Sequence, residues 1–395
     1  MIIKSKRIIT ENGIVDGYLV VENHKIKAIE TADKQLTADI DESENLIIPG
    51  IFDTHNHGTL GYSMMKDTPD ADKEIKGYLK GLASQGVTAI FPTCGTDIIK
   101  AVAQAAKVEQ DGAKIVGIHS EGPFLNRVGE QGTDSGHPEV DLEVVKKMLE
   151  DSEGMLKLVA LAPELPGSDE VIHYLVDNGV RVAFAHSNCN YEEAKAAFRE
   201  GVSVSTHTAN VMSGIHHRNM GGLGACLLDD NLWSEVICDG LHVSDEMLRI
   251  MFRIKSYHRF MMISDNVPMA GAPLGRYSAK SLGGDVNIDE EGFCRTDSGW
   301  LRGSTKPVIY GIAHLAKELK IPLEIILQMA CLNPALCYNL ADRKGSLKAG
   351  KDADFVIVDD DFKVRQTYSE GRKVYDHQVD TDLFNHSFLE TYKIS

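Results

Sequence analysis

Apolar and polar residues alternate at the two ends of the chain and gather into short runs between them. The stretch "MIIKSKRIITENGIVDGYLVVENHKIKAIE" alternates, with turn signals at Asn12-Gly13 and Asp16-Gly17. "GSLKAGKDADFVIVDDDFKVRQTYSEGRKVY" has the same texture near the far end. A period of two predicts short antiparallel strands at both ends. Between them, apolar runs alternate with amphipathic stretches such as "PDADKEIKGYLKGLASQG" and "SDEVIHYLVDNG", which predict helices. Strand–helix alternation at this spacing means βαβ units and a parallel sheet.

Eight runs qualify as strands: Ile47–Phe52, Val87–Phe91, Ile115–Ile118, Leu158–Leu161, Val180–Phe184, Val202–Ser205, Val236–Cys238 and Phe260–Ile263. Eight βα units closing on themselves make a TIM barrel, whose active site lies at the carboxyl ends of the strands. The expected architecture is therefore α/β: a (β/α)8 barrel over residues 49–341. Residues 1–48 plus 342–395 are expected to form a small β-sandwich.

Composition narrows the function classes. A chain of 395 residues suits one large domain and a minor one. A hydrophobic share of 43% and a charged share of 25% are ordinary for a soluble globular protein. The formal net charge of -17 argues against a nucleic-acid partner, whose backbone needs a basic surface. It leaves room for a small anion, because a few local cations override the global field. The opening "MIIKSKRIITENG" has no long apolar run, so neither a signal peptide nor a membrane span is expected. The 7 cysteines are scattered without CxxC pairs, which reads as reduced thiols in a cytoplasmic protein.

The residues that follow the strands change the picture most. The runs lead into "DTHNHG", "PTCGT", "HSEGPF", "APE", "AHSN", "THTAN", "DGLH" and "SDN". Loops begin with polar residues for dull reasons, but that does not account for imidazoles and acids at strand after strand. In a strand, residues i and i+2 share a face, so His55 and His57 emerge together. Gathered at one rim, His55, His57, Glu121, His186, His207 and Asp265 make a divalent metal site suited to hydrolysis. Such a metal lowers the pKa of water towards ~7. A carboxylate beside it can take the water's proton and pass it to a leaving group. Glu121 either bridges two metals or serves one.

At this point "PGIFDTHNHG", "HSEGPF", "AHS", "THTANVM", "CDGLHV" and "SDN" resemble the amidohydrolase superfamily. More narrowly, they resemble the N-acetylglucosamine-6-phosphate deacetylase family. The likeness spans almost the whole chain and includes "LGGDVNIDEEGFCRTDSGWLRGS", "CLNPAL" and "GSLKAGKDADFVIVD". Relatives that bridge metals with a carboxylated lysine would carry it at the end of the fourth strand. Here that place reads "APE", with Glu164, while the acid sits on the third strand.

The resemblance implies metal-dependent deacetylation of an N-acetyl amino-sugar phosphate, with N-acetylglucosamine 6-phosphate as substrate. It implies Glu121, His186 and His207 as core metal ligands and His55 with His57 as the pair for a second metal. Asp265 is implied as catalytic acid/base, and Asn210 with the backbone of Val211 as a substrate-binding turn. Arg218 and His242 are implied to reach the sugar phosphate, one or both from a neighbouring subunit of a homodimer. Leu301 and Gly303 are implied to wall the acyl group. Zinc is the default cofactor, with iron, cobalt and manganese as alternatives for the same ligands.

Departures gather around the substrate. The family's usual "REPG" is replaced in "HHRNMGG" by Asn219 and Met220, and Arg302 stands where alanine is usual. The family's carbonyl-polarising histidine lies in a "GTH" or "GAH" string. Here the aligned "GTDSGH" offers Asp134 or His137 in its place. The rival expectations are an amidohydrolase acting on N-acetylgalactosamine 6-phosphate or an N-acyl amino acid, and a catalytically silent barrel that binds a sugar phosphate.

Overall fold

The computed structural model describes residues 1–66, 68–128, 133–134, 139–279 and 284–394. Its central feature is a ring of parallel strands: β1 (Ile51–Asn56), β2 (Val87–Pro92), β3 (Ile118–Glu121), β4 (Leu156–Leu161), β5 (Arg181–Phe184), β6 (Val202–Ser205), β7 (Trp233–Ile237) and β8 (Phe260–Ile263). β3 through β8 pair in sequence order, and β1 pairs with β2. Two single bridges close the ring, Thr93 with His119 and Asn56 with Asn266. Each seam thus lies at the carboxyl rim, beside the imidazoles and acids of the motifs.

The strands form where the apolar runs stand, with instructive shifts. The expected strand Ile47–Phe52 is two strands. Leu46–Pro49 joins the terminal sheet, and β1 starts afresh at Ile51. Gly50 stands at the break, where Thr88 leaves no room for a side chain: a Cβ there would lie 2.1 Å from Thr88 Oγ1. β1 therefore runs to Asn56 and carries His55 inside it. The run Ile115–Ile118 is likewise interrupted, and β3 begins at Ile118 and ends on Glu121.

Helices cover the outside, and their ends follow from side-chain caps. Ala71–Ser84 starts where Asp70 accepts a hydrogen bond from the Lys73 amide, and it buries Ile75, Tyr78, Leu79 and Leu82. Tyr191–Glu200 opens on a capping box between Asn190 and Glu193. The helix-facing side of the ring is one large apolar cluster. Inside the ring, Leu158, Ala183, Val204 and Met261 pack with Cys337, while Phe52 and Phe91 pack with Ala335. Those residues make a dry floor beneath the polar rim.

The two chain ends meet in one eight-stranded sheet in which Leu46–Pro49 lies between Ile2–Thr10 and Phe355–Val358. Asp16-Gly17 is not a turn but lies within the strand Gly13–Glu22, because the Glu30 carbonyl of the next strand occupies the space of a Gly17 side chain. The second reversal comes at Asn23 and His24, both left-handed. The stretch expected to belong to the terminal unit, 342–395, is divided. Strands up to Asp376 join the sheet, whereas the helix His386–Tyr392 and strand Lys393–Ile394 dock on the barrel side, where Lys393–Ile394 pairs with Gly275–Ala279. Among the described residues, no helix is long and apolar enough to cross a membrane.

A buried ion group pins the terminal sheet to the barrel entrance. Lys344 Nζ lies 2.7 Å from Asp354 Oδ2 and 3.1 Å from Asp352 Oδ2, with the Lys344 and Asp354 side chains only 4% and 6% exposed. The other oxygen of Asp354 accepts from the Glu370 amide, and its carbonyl accepts from Gly50. Removing one member leaves buried charge uncompensated. Lys344→Ala is expected to lower the unfolding free energy by about 3–5 kcal/mol in urea titration, with Lys344→Ala/Asp354→Ala less than additive. A loss under about 1 kcal/mol would be too small for a buried partner of two carboxylates.

Candidate active site

The six rim residues expected to meet do so. Glu121 is the hub. Its Oε2 lies 2.9 Å from His57 Nε2, and its Oε1 lies 2.9 Å from both His186 Nε2 and His207 Nε2. His55 Nε2 is 3.2 Å from His57 Nε2 and 3.3 Å from Asp265 Oδ1. His186 and His207 face each other at 3.0 Å through their Nε2 atoms. Two donor sets result, His55–His57–Glu121–Asp265 and Glu121–His186–His207, sharing Glu121.

These distances fit a divalent cation better than they fit hydrogen bonding alone. A neutral imidazole nitrogen without a proton only accepts, so pairs of Nε2 atoms pointing at each other want a positive charge between them. Two ligands bonded to a tetrahedral ion at ~2.0–2.1 Å sit about 3.3 Å apart, inside the 2.9–3.5 Å range of separations within the two sets. The electrostatics agree. Burial lowers the His55 imidazole, but Asp265 and Glu121 outweigh it and hold it well above its ordinary value. Burial raises Glu121, but the charges of His55 and His186, with hydrogen bonds from His186 and His207, hold it well below the usual carboxylate range. The cluster of acids thus stabilises positive charge at its centre.

Local backbone strain aims these side chains. His186, His207 and Asp265 all have left-handed φ angles of 47°, 30° and 51°. Non-glycine residues pay about 1–3 kcal/mol for such conformations, and they persist where the surroundings over-determine them. Backbone bonds supply that here. The Asp265 amide donates to the His55 carbonyl, and the Ser304 amide donates to the Asp265 carbonyl. The Asn266 carbonyl accepts from both His57 and Gly58. Glu164 anchors the loop after β5 by accepting from Ser187 Oγ and the Asn188 amide, and it also accepts from Asn126 beyond β3. It is thus a loop brace, in keeping with its place outside the donor sets.

The expected substrate residues divide into two groups. Asn210 lies in the turn after His207 between two left-handed residues, Ala209 at φ 91° and Val211 at φ 52°, with its Nδ2 buried without a hydrogen-bond partner. Leu301 is buried, and Gly303 backs on Val267. His242 is held by Asp239, whose Oδ2 lies 2.6 Å from His242 Nδ1 and whose Oδ1 accepts from two backbone amides. Burial raises the Asp239 carboxyl, yet the hydrogen bond and charge of His242 bring it below its ordinary value. Arg218 lies in an exposed loop, and no contact joins it to the donor sets among the described residues. His137 lies outside the described residues, as does the side chain of Asp134.

Several buried residues of the rim were not singled out by the motifs. His119 stands edge-on to His55 at 4.5 Å between ring centroids, and burial, then the neighbouring His55, push it well below its ordinary value. Asp53 braces β1 to β8 by accepting from Ser264 Oγ and its amide. Burial pushes its carboxyl up to about 6. Glu235, in the middle of β7, is wholly buried and accepts from Thr54 Oγ1 at 2.6 Å. An acid inside the apolar run "WSEVIC" was its available signal.

Comparison with known proteins extends the picture. The sequence pattern of the amidohydrolase family matches residues 46–374. The chain is 35% identical to N-acetylglucosamine-6-phosphate deacetylase of Vibrio furnissii over 371 residues, 90% of each chain. It is 31% identical to N-acetylgalactosamine-6-phosphate deacetylase of Escherichia coli O157:H7 over 384 residues, 94% of this chain and 98% of the relative. Among solved structures, it resembles N-acetyl-D-glucosamine-6-phosphate deacetylase of Mycobacterium smegmatis, a variant of which is in complex with N-acetyl-D-glucosamine-6-phosphate. The TM-score is 0.85 at 26% identity, covering 95% of this chain and 99% of that one.

A shared ligand makes a clear expectation for metal content. Glu121→Ala should strip tightly held divalent cation from both donor sets, and His57→Ala from the first set only, as read by elemental analysis after dialysis. Wild-type metal content in Glu121→Ala would exclude Glu121 as the common ligand.

Proposed function

The chain belongs to the amidohydrolase family, and we propose that it hydrolyses the acetamide of N-acetylglucosamine 6-phosphate to give glucosamine 6-phosphate and acetate. The observation that carries this reading is the pair of donor sets sharing Glu121, with the Asp265 carboxylate at their edge. His55, His57 and Glu121 would hold one divalent cation, and Glu121, His186 and His207 another. A cation bound there acidifies water towards neutrality and polarises an amide carbonyl. Zinc suits the imidazole and carboxylate ligands, as iron, cobalt and manganese also do.

The chain's own residues then divide the work. Asp265 takes the proton from water as it attacks the acetamide carbon. It later gives that proton to the departing sugar amine, which leaves as a neutral group rather than an anion. Its left-handed backbone fixes the carboxylate on the cluster, so little motion is needed between the two transfers. Asn210 and Val211 orient the sugar from the loop after β6. Arg218 binds the phosphate with its planar fork of donors, and His242, held by the ionised Asp239, joins it. Binding the phosphate places the acetamide beside Asp265, within reach of the donor sets that would hold the cations. Leu301 and Gly303 shape the wall against the acetyl methyl. The exposure of Arg218 in a single chain suits a homodimer in which this loop completes the neighbour's site. A cytoplasmic setting fits the seven unpaired, buried thiols.

The relative acting on N-acetylgalactosamine 6-phosphate favours one second reading, the same chemistry on the epimeric sugar. Acetate release from a panel of N-acetylated hexosamines, with and without the 6-phosphate, separates the two by kcat/KM. No acetate from any phosphorylated member would overturn both. Asp265→Asn is expected to lower kcat by roughly 10²–10⁴-fold with the cations retained. Near-normal turnover would remove Asp265 from its role. Arg218→Ala is expected to raise KM for the phosphorylated sugar by about 10-fold or more and to leave the unphosphorylated one unchanged. Equal loss on both substrates would count against the phosphate contact.

A further inference from the structure

Two buried polar atoms beside the site lack a hydrogen-bond partner of normal length, and they face each other. They are His55 Nδ1 and Glu235 Oε2, 3.5 Å apart, on side chains that are wholly buried. A buried carboxylate oxygen and a buried ring nitrogen each cost free energy when left unmade. The other oxygen of Glu235 is fixed by Thr54 Oγ1 at 2.6 Å. Thr54 adjoins His55 on β1, whereas Glu235 comes from β7, 181 residues further on. The Thr54 bond therefore holds the free Oε2 towards the far side of the His55 ring.

We infer that Glu235 is a positioning residue for the first cation: it keeps the His55 proton on Nδ1 and so turns the Nε2 lone pair towards His57, Glu121 and Asp265. The inference rests on the proposed metal-dependent function. Its logic is that of a carboxylate behind a ligating imidazole, which fixes tautomer and ring orientation and raises ligand basicity. An imidazole has one proton in its neutral form, and a carboxylate accepts and cannot donate. With the Glu235 Oε2 acceptor facing Nδ1 at 3.5 Å, the ring's one proton is kept on Nδ1 and Nε2 is left as an acceptor. His55 is the ligand most in need of this, because its side chain, Nδ1 included, is completely enclosed. No equivalent carboxylate stands within ion-pair distance of the buried Nδ1 of His207 among the described residues.

The test follows dissociation of cobalt(II) or zinc from the loaded protein under chelator competition, with cobalt absorption as a report on coordination. The wild-type chain and His57→Ala identify which released ion belongs to the His55–His57 set. In Glu235→Gln, which keeps the shape but not the charge, that ion should be held roughly 10–100-fold more weakly, while the His186–His207 ion is unchanged. Thr54→Val, which leaves the carboxylate in place but unanchored, should give a smaller loss at the same ion. Unchanged affinity at the His55–His57 set in both variants overturns the inference, and so does an equal fall at both sets. A wild-type chain that holds no ion at the His55–His57 set would overturn the metal reading itself, and this inference with it.

Discussion

One carboxylate carries the geometry of the whole rim. Glu121 uses one oxygen for His57 and the other for His186 and His207, so three strands' worth of imidazoles are referred to a single side chain. Its own place at the last residue of β3 is fixed by pairing with Ala160 of β4. The ring must therefore close with β3 in register, or no donor set exists. That dependence runs both ways. Four imidazoles and two acids crowded above a dry floor of Phe52, Phe91, Leu158 and Met261 are a poor way to end a core unless a cation takes up their lone pairs and balances the acids.

Strain and bracing follow from the same demand. A parallel strand delivers side chains alternately up and down its faces. Glu121 is aimed from the last residue of β3 without left-handed backbone, whereas the ligands just beyond β5, β6 and β8 lie where the strand has ended. There His186, His207 and Asp265 supply a bend by adopting left-handed backbone. The opposing cost is spread over neighbours that hydrogen-bond to the bent segments, such as Glu164 at the β5 loop and Ser304 at Asp265. The two seams of the ring, at Thr93–His119 and Asn56–Asn266, fall at this rim as well. Regular ladder bonding gives way where the backbone holds the donor sets, a pattern expected of functional sites.

The donor sets were legible because strand ends are legible. Short apolar runs ending in His, Glu or Asp can be ordered along the chain, and the barrel's geometry then brings their ends together without further information. What resisted reading depends on contacts between distant strands. Nothing local marks Gly50 as the point where one apolar run divides between two sheets, because the obstacle is Thr88 on another strand. Asp16-Gly17 has the composition of a turn, yet strand pairing of Gly17 with Thr31 and of Tyr18 with Glu30 overrides it. The docking of Lys393–Ile394 on Gly275–Ala279 joins residues with no shared pattern at all.

Glu235 shows why such residues matter more than their silence suggests. Read along the chain, it is an acid in an apolar strand, a position that costs free energy without a partner. In the closed ring it has two, Thr54 at 2.6 Å and the outer nitrogen of His55 at 3.5 Å, both delivered by β1. The ligands that touch a cation are chosen by residue type and can be found by motif. The groups behind them are chosen by where the ring closes, and β7 reaches β1 only through the barrel's interior. A buried charge with no local explanation is therefore informative in this fold, since the barrel must supply the explanation from across its width.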